Sequence, residues 1–203
     1  MPTTVAEAFA AADLSRAGCV PWGTKPPAPE CGVYIVSLTD SLDSLDGVLS
    51  EAPLSSIDFE HWLYVRPELS IDGSRPTPEE LMRRVAAFWL RDEVILYVGL
   101  TESQSLSKRL GQYYRTPIGK RSPHAGGYFL KLLSNLDSLW IHYAPSSDPA
   151  GAESKIIDWF YSHVSDTAKR DLWDPEHPFP FANLEWPRGT RKKHGFRGSA
   201  EAR

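Results

Sequence analysis

The sequence predicts an α+β domain, a small sheet flanked by helices, with a long insertion between its first two strands. Three observations predict it. Runs rich in β-branched and apolar residues at 32–38, 94–98 and 139–144 read as strands. Other segments carry helical spacing with clear caps. More than fifty residues separate the first strand from the second, too many for a hairpin turn, so that stretch must hold structure of its own. At 203 residues the chain suits one domain with extensions. The expected organisation is an N-terminal extension and Pro-rich linker at 1–30, a domain at 31–186 with its insertion at 39–92, and a basic tail at 187–203.

Taken in order, residues 5–14 form a short helix with Val5, Phe9 and Ala12 on one side. Residues 21–29 hold four prolines and a glycine and read as an extended linker. The first strand follows at 32–38. Residues 40–57, rich in Ser, Asp and Leu, have no readable period. A helix is then well marked: Thr77 caps it, Pro78 takes the first position, Glu80 completes a capping box, and Leu81, Val85, Phe88 and Trp89 keep helical spacing. After the second strand, Leu106, Leu110 and Tyr113 mark another helix, and residues 127–135 a further one. In the third strand Leu139, Ile141 and Tyr143 alternate with Trp140 and His142. Asp148 caps a late helix that starts at Pro149 and carries Ala152, Ile156, Trp159, Phe160 and His163 at helical spacing. Residues 174–187 read as irregular, and the tail from Arg188 as basic and partly disordered. No internal repeat is present.

The net charge of -4 excludes a general polycation but hides an uneven distribution. Residues 103–136 contain no acidic side chain, yet hold Lys108, Arg109, Arg115, Lys120, Arg121 and Lys131. The tail adds Arg188, Arg191, Lys192, Lys193, Arg197 and Arg203 against Glu201, while residues 40–93 are acidic. A local basic surface matters more to a nucleic acid than net charge does. Cys19 and Cys31 are too far apart for a CxxC pair and read as reduced thiols in a cytoplasmic protein. No basic segment precedes the first apolar residues, as a secretory signal would need, and no run is long enough to span a bilayer.

The candidate chemistry gathers around two tripeptides, Gly32-Val33-Tyr34 and Tyr97-Val98-Gly99, which bring two phenols onto neighbouring strands. Arg109, on the helix after the second tripeptide, offers a planar fork of donors suited to a phosphate. Tyr113, four residues on, shares its helix face. Glu153 sits near the start of the late helix, at the edge of the apolar stripe. Asn183 either orients a ligand or ties a loop down. Hydrolysis of a phosphodiester needs water activated, charge on phosphorus neutralised and the leaving oxygen stabilised, and a hard cation such as Mg2+ commonly does part of this with a single protein carboxylate.

This order of residues resembles the GIY-YIG nuclease family. The likeness rests on the two tripeptides, Arg109 ten residues past Gly99, Glu153 in Ala152-Glu153-Ser154-Lys155, and Asn183 after a proline. The segment from Leu96 to Tyr114 looks closest to the nuclease domain of the bacterial excision-repair incision subunit, which also has a tyrosine four residues after the arginine. The interval between the tripeptides is longer than in typical members, as in some restriction enzymes of the family, and Leu100 stands where several members have Lys or Ser. The resemblance implies a three-stranded antiparallel sheet flanked by helices and a metal-dependent DNA endonuclease, possible roles being restriction, repair or a mobile element. It implies Glu153 as ligand of Mg2+ (or Mn2+), Arg109 as stabiliser of phosphoryl charge, and Tyr34 or Tyr97 as the residue that helps activate or position the attacking water, an activating phenol being lowered by the metal and Arg109. Cutting both strands would favour a homodimer.

Around that set, Arg115, Lys120 and Arg121 either track a DNA backbone or form a solvated face, and His124 either approaches a phosphate or belongs to a loop. Arg191, Lys192, Lys193 and His194 of the tail pose the same choice. Trp173 and Trp186, in irregular chain, are candidates for stacking on a base. Two other classes fit the sequence: a nucleic-acid-binding module of the same fold without chemistry, and a protein-interaction domain using the acidic insertion.

Overall fold

In the computed structural model, residues 2–124, 126–186 and 189–200 are described. The chain begins with α1 (Val5–Ala11), started by a capping box in which Thr4 Oγ1 accepts from Glu7 N and the Glu7 carboxylate accepts from Thr4 N. Then come β1 (Gly18–Pro21) and β2 (Gly32–Ser37). The insertion supplies α2 (Ser56–Val65), the two-residue β3 (Ser70–Ile71) and α3 (Pro78–Ala86). Next are β4 (Ile95–Thr101) and α4 (Leu106–Arg115). After two 3-10 turns follow β5 (Trp140–Pro145), α5 (Pro149–His163), α6 (Asp166–Arg170) and β6 (Phe196–Arg197).

The main sheet has four strands in the order β1-β5-β2-β4, every pair antiparallel. The three strands expected from sequence form its β5-β2-β4 part. The fourth, β1, comes from the stretch read as extension and linker, and its terminal Pro21 fits an edge strand, where a missing N–H is tolerated. All six residues of β2 are buried because both faces of the sheet are covered. The strand's two-residue period separates them: Val33 and Ile35 face a core shared with α1 and α5, and Tyr34 and Val36 face a core shared with α2, α3 and α4.

The insertion is part of the domain. Phe59, Trp62 and Leu63 of α2 and Leu81 and Val85 of α3 enter the same core as Tyr34. At α3, Thr77 and Glu80 make the expected capping box behind Pro78. Residues 127–135, expected as a helix, form a 3-10 turn at Tyr128–Leu132 that leads to a second at Leu136–Ser138. Leu133 is extended and bridges to Leu54, which ends the turn at Leu132, and Phe129, Leu130, Leu132 and Leu133 are all buried.

The tail also differs from expectation over its described part. Ile71↔Phe196 and Ser70↔Arg197 pair β3 with β6, and Phe196 packs on Trp62 and Phe129. Trp62 Nε1 donates to Ser199 O, and the Arg66 guanidinium donates to Gly198 O and Ala200 O. Arg188 and Arg203 lie outside the described residues. Cys19 and Cys31 are free thiols. Among the described residues no helix is long and apolar enough to cross a membrane.

Candidate active site

Strand register creates the centre of the site. Tyr34 on β2 lies opposite Gly99 on β4, and Tyr97 shares that face of the sheet two residues away. A Cβ on Gly99 would stand 2.6 Å from Tyr34 Cζ and 2.8 Å from Tyr97 Cε1, so the Tyr34 ring can lie across β4 only because residue 99 has no side chain. Tyr113 from α4 completes a cluster of three rings, with centroids 6.0 Å (Tyr34–Tyr97), 6.4 Å (Tyr34–Tyr113) and 5.7 Å (Tyr97–Tyr113) apart. The Gly126-Gly127 backbone passes over two of the hydroxyls. Tyr113 Oη donates to Gly127 O at 2.6 Å, and a Cβ at Gly126 would stand 2.5 Å from Tyr97 Oη.

Arg109 sits one helical turn before Tyr113, half-buried, with its Nε lacking a hydrogen-bond partner. Its charge acts on every titratable member of the group. Burial raises the phenols of Tyr34, Tyr97 and Tyr113 well above the usual range, and Arg109 opposes each shift without overcoming it. The half-buried Glu153, one turn into α5, is pushed up to about 7 by desolvation; Arg109 pulls it down and Glu102 pushes it further up. The Tyr34 hydroxyl is fully buried, and no donor or acceptor meets strict hydrogen-bond geometry with it, although it lies close enough to the Tyr97 phenol to oppose that phenol's rise as a side-chain hydrogen-bonding neighbour.

Tyr97 and Glu153 open onto a cleft of about 480 Å3. Arg121, Arg191 and Arg197 contribute basic side chains to its lining, His194 joins them as an imidazole that burial lowers to about 4 and so keeps neutral, and the backbone of Gly198 to Ala200 forms part of one wall. Arg191 pairs with Glu185 at 3.0 Å, whereas Arg121 and Arg197 are exposed and make no ion pair among the described residues.

Five expected residues therefore come together: Tyr34, Tyr97, Arg109, Tyr113 and Glu153. Others have different roles. Asn183 borders the cleft, but its amide is committed to Val98, accepting from Val98 N and donating to Val98 O, both at 2.8 Å. Because β4 is an edge strand, these outward backbone groups need partners, and Asn183 supplies them as a neighbouring strand would. Asn183 ties the chain down.

Lys192 is not a surface cation. It is buried, its Nζ donates to Pro180 O and Phe181 O, and desolvation lowers it to about 7. His124 is also inside, its ring 4.2 Å from that of Tyr113; burial first, then Arg109, lowers it to about 3, which keeps the imidazole neutral. It offers no exposed contact to a phosphate. Lys193 is exposed but pairs with Glu176. Arg115 and Lys120 are exposed and do not line the cleft.

The sequence reading weighed His194 only as part of the basic run 191–194 and did not select Arg197, because a two-residue strand carries no period to show which side chains face inward.

Glu153 offers one hard carboxylate oxygen at the edge of a cleft, which suits a cation that completes its shell with water and phosphate oxygens. A separate group of possible ligands, Asp174, Glu176 and His177, lies elsewhere in the chain. Asp174 Oδ2 there accepts from His177 Nδ1 at 2.8 Å and from Lys193 N at 2.6 Å, so the group already serves as a loop clamp. Comparison of the chain with protein-family models, curated protein sequences and solved structures gives no match. The resemblance to the GIY-YIG nucleases rests on the sequence motifs alone.

Proposed function

We propose that the chain is a divalent-metal-dependent endonuclease that hydrolyses DNA phosphodiester bonds at a GIY-YIG-type site. In this reading β5-β2-β4 is the three-stranded core, β1 an added edge, and residues 39–92 an elaboration. One observation carries it: two strand tyrosines, a helix arginine and a glutamate, far apart in sequence, lie within one another's electrostatic field beside a cleft with basic side chains. Groups of this kind, with spare hydrogen-bonding capacity, suit a phosphate in transit between two charge states.

Arg109 holds the phosphate and offsets the charge that develops on phosphorus. Arg121 and Arg197 take neighbouring phosphates of the strand. Burial keeps the phenols of Tyr34 and Tyr97 protonated; Tyr97, which lines the cleft, orients water and phosphate oxygens as a donor, and the fully buried Tyr34 stands behind it. Positioning is one of the two roles expected for them; activation would need the metal to lower phenols that desolvation raises and that Arg109 alone does not bring down. Glu153 would hold Mg2+ or Mn2+, which supplies Lewis acidity and lowers the pKa of bound water. The test is plasmid cleavage by Glu153→Ala with each metal, expected to fall about a hundredfold or more while DNA binding persists. Cleavage equal to the parent would overturn the site.

A further inference from the structure

A second cavity, of about 510 Å3, lies against Trp173. It is lined by Trp173, Ile71, Pro76 and Ala87, with Arg83 and Arg84 among its polar residues. Trp173 is unusual among the exposed large side chains because it is both exposed and immobilised. It is 53% exposed. Its backbone N donates to Ala87 O at 2.8 Å and its Nε1 to Lys193 O at 3.2 Å. The Arg84 guanidinium lies 3.8 Å from the ring centroid and is itself fixed by Asp72 at 2.8 Å and by His194 O at 3.0 Å. One face of the indole is thus covered and a large part of the ring stays open. A fixed aromatic surface loses little entropy when a planar group stacks on it.

The ring is also joined to the cleft. Lys193, which holds the indole, precedes His194, which borders the cleft and whose carbonyl holds Arg84. Arg83 stands exposed at the rim with no hydrogen bond or ion pair among the described residues. Of the arginines at the cavity, Arg75 donates to backbone carbonyls and Arg84 pairs with Asp72, while Glu80 is engaged in capping α3, which leaves Arg83 as the cation open to a ligand.

We infer that Trp173 is a stacking platform for an unpaired nucleobase of the DNA strand that leaves the cleft, with Arg83 taking the adjoining phosphate. The inference rests on the nuclease reading and sharpens its substrate. Bases in a duplex are already stacked and cannot reach the indole, so the preferred DNA carries unpaired nucleotides beside the cutting site.

The experiment is fluorescence anisotropy in EDTA, with a blunt hairpin duplex and the same duplex extended by unpaired nucleotides on either strand. The unmodified protein is expected to bind one extended DNA more tightly than the blunt one. Trp173→Ala should weaken binding of that DNA about five- to a hundredfold, the range for one base–aromatic stack, and leave blunt binding unchanged. Trp173→Phe should keep most of the preference, and thermal melts verify folding of both variants. If Trp173→Ala binds the extended DNA as the parent does, or weakens both DNAs equally, the platform is refuted while the nuclease reading stands. Failure of the parent to bind either DNA refutes both.

Discussion

Tyr34→Phe separates stability from activity at one atom. The Tyr34 hydroxyl is fully buried among Tyr97, Tyr113 and Gly99, and no donor or acceptor meets strict hydrogen-bond geometry with it. An unsatisfied buried polar group costs about 1–3 kcal/mol, and replacing it with hydrogen removes that cost and leaves a space smaller than a methyl group. After allowance for lost packing, the Phe variant should be about 1 kcal/mol more stable, roughly 2–4 °C in melting temperature for a domain of this size. If the phenol is a donor to the reacting phosphate or water, the same change lowers cleavage about a hundredfold. Differential scanning calorimetry and plasmid cleavage on one preparation read both. A variant that is less stable than the parent would mean that the hydroxyl has a partner in the resting protein. A variant that is more stable and fully active would remove Tyr34 from the chemistry.

Three further outcomes follow from the geometry. Gly99→Ala places a Cβ 2.6 Å from a ring that cannot retreat, so it should destabilise by about 1–3 kcal/mol in urea melts and reduce cleavage more than DNA affinity. Asn183→Ala leaves the N–H and C=O of buried Val98 unpaired, a loss on the order of 3 kcal/mol, with faster exchange of the Val98 amide and little change in DNA affinity for the folded protein. A stable but inactive Asn183→Ala would instead assign it to the ligand. Burial raises Glu93 from 4.5 to about 8, so the folded chain holds a proton that the unfolded chain releases. Its contribution is full below about pH 4.5 and is lost as pH rises towards 8, a change on the order of 4 kcal/mol. Glu93→Gln keeps an acceptor for Thr3 N and should flatten that slope, and parallel slopes in parent and variant melts between pH 5 and 8 would refute the assignment.

Features with a period or a cap were legible in the sequence. Thr77-Pro78 and Asp148-Pro149 mark the starts of α3 and α5 because capping is local chemistry. The alternation of residues 139–144 announces β5 because it buries two faces in turn. By contrast, β1, β3 and β6 have two to four residues each and are stabilised by partners far away in the chain, so no local pattern precedes them. The same division runs through the site. Tyr34, Tyr97, Arg109, Tyr113 and Glu153 stand on regular elements, and their directions follow from period. Lys192, His124 and Asn183 lie in irregular chain, where the carbonyls they meet or the ring they stack on decide whether they turn inward.

The long interval between the tripeptides is what most separates this chain from the pattern it resembles, and the same interval builds both halves of the site. Closing a longer loop costs only about 0.6 kcal/mol per doubling of its length, so the insertion is cheap if it buries its own apolar residues. It does so by covering the tyrosine-bearing face: Phe59, Trp62, Leu81 and Val85 share a core with Tyr34, Tyr97 and Tyr113. That cover excludes water from the phenols, and desolvation is the largest cause of their raised pKa values. The insertion also secures the opposite wall of the cleft, since β3 pairs with β6 and Trp62 and Arg66 bind the backbone of residues 198–200. Arg197 therefore reaches the cleft through contacts that the insertion supplies. Excising residues 39–92 would expose the tyrosine cluster and free the basic wall together, so the segment is not an independent appendage to the sheet and its helices.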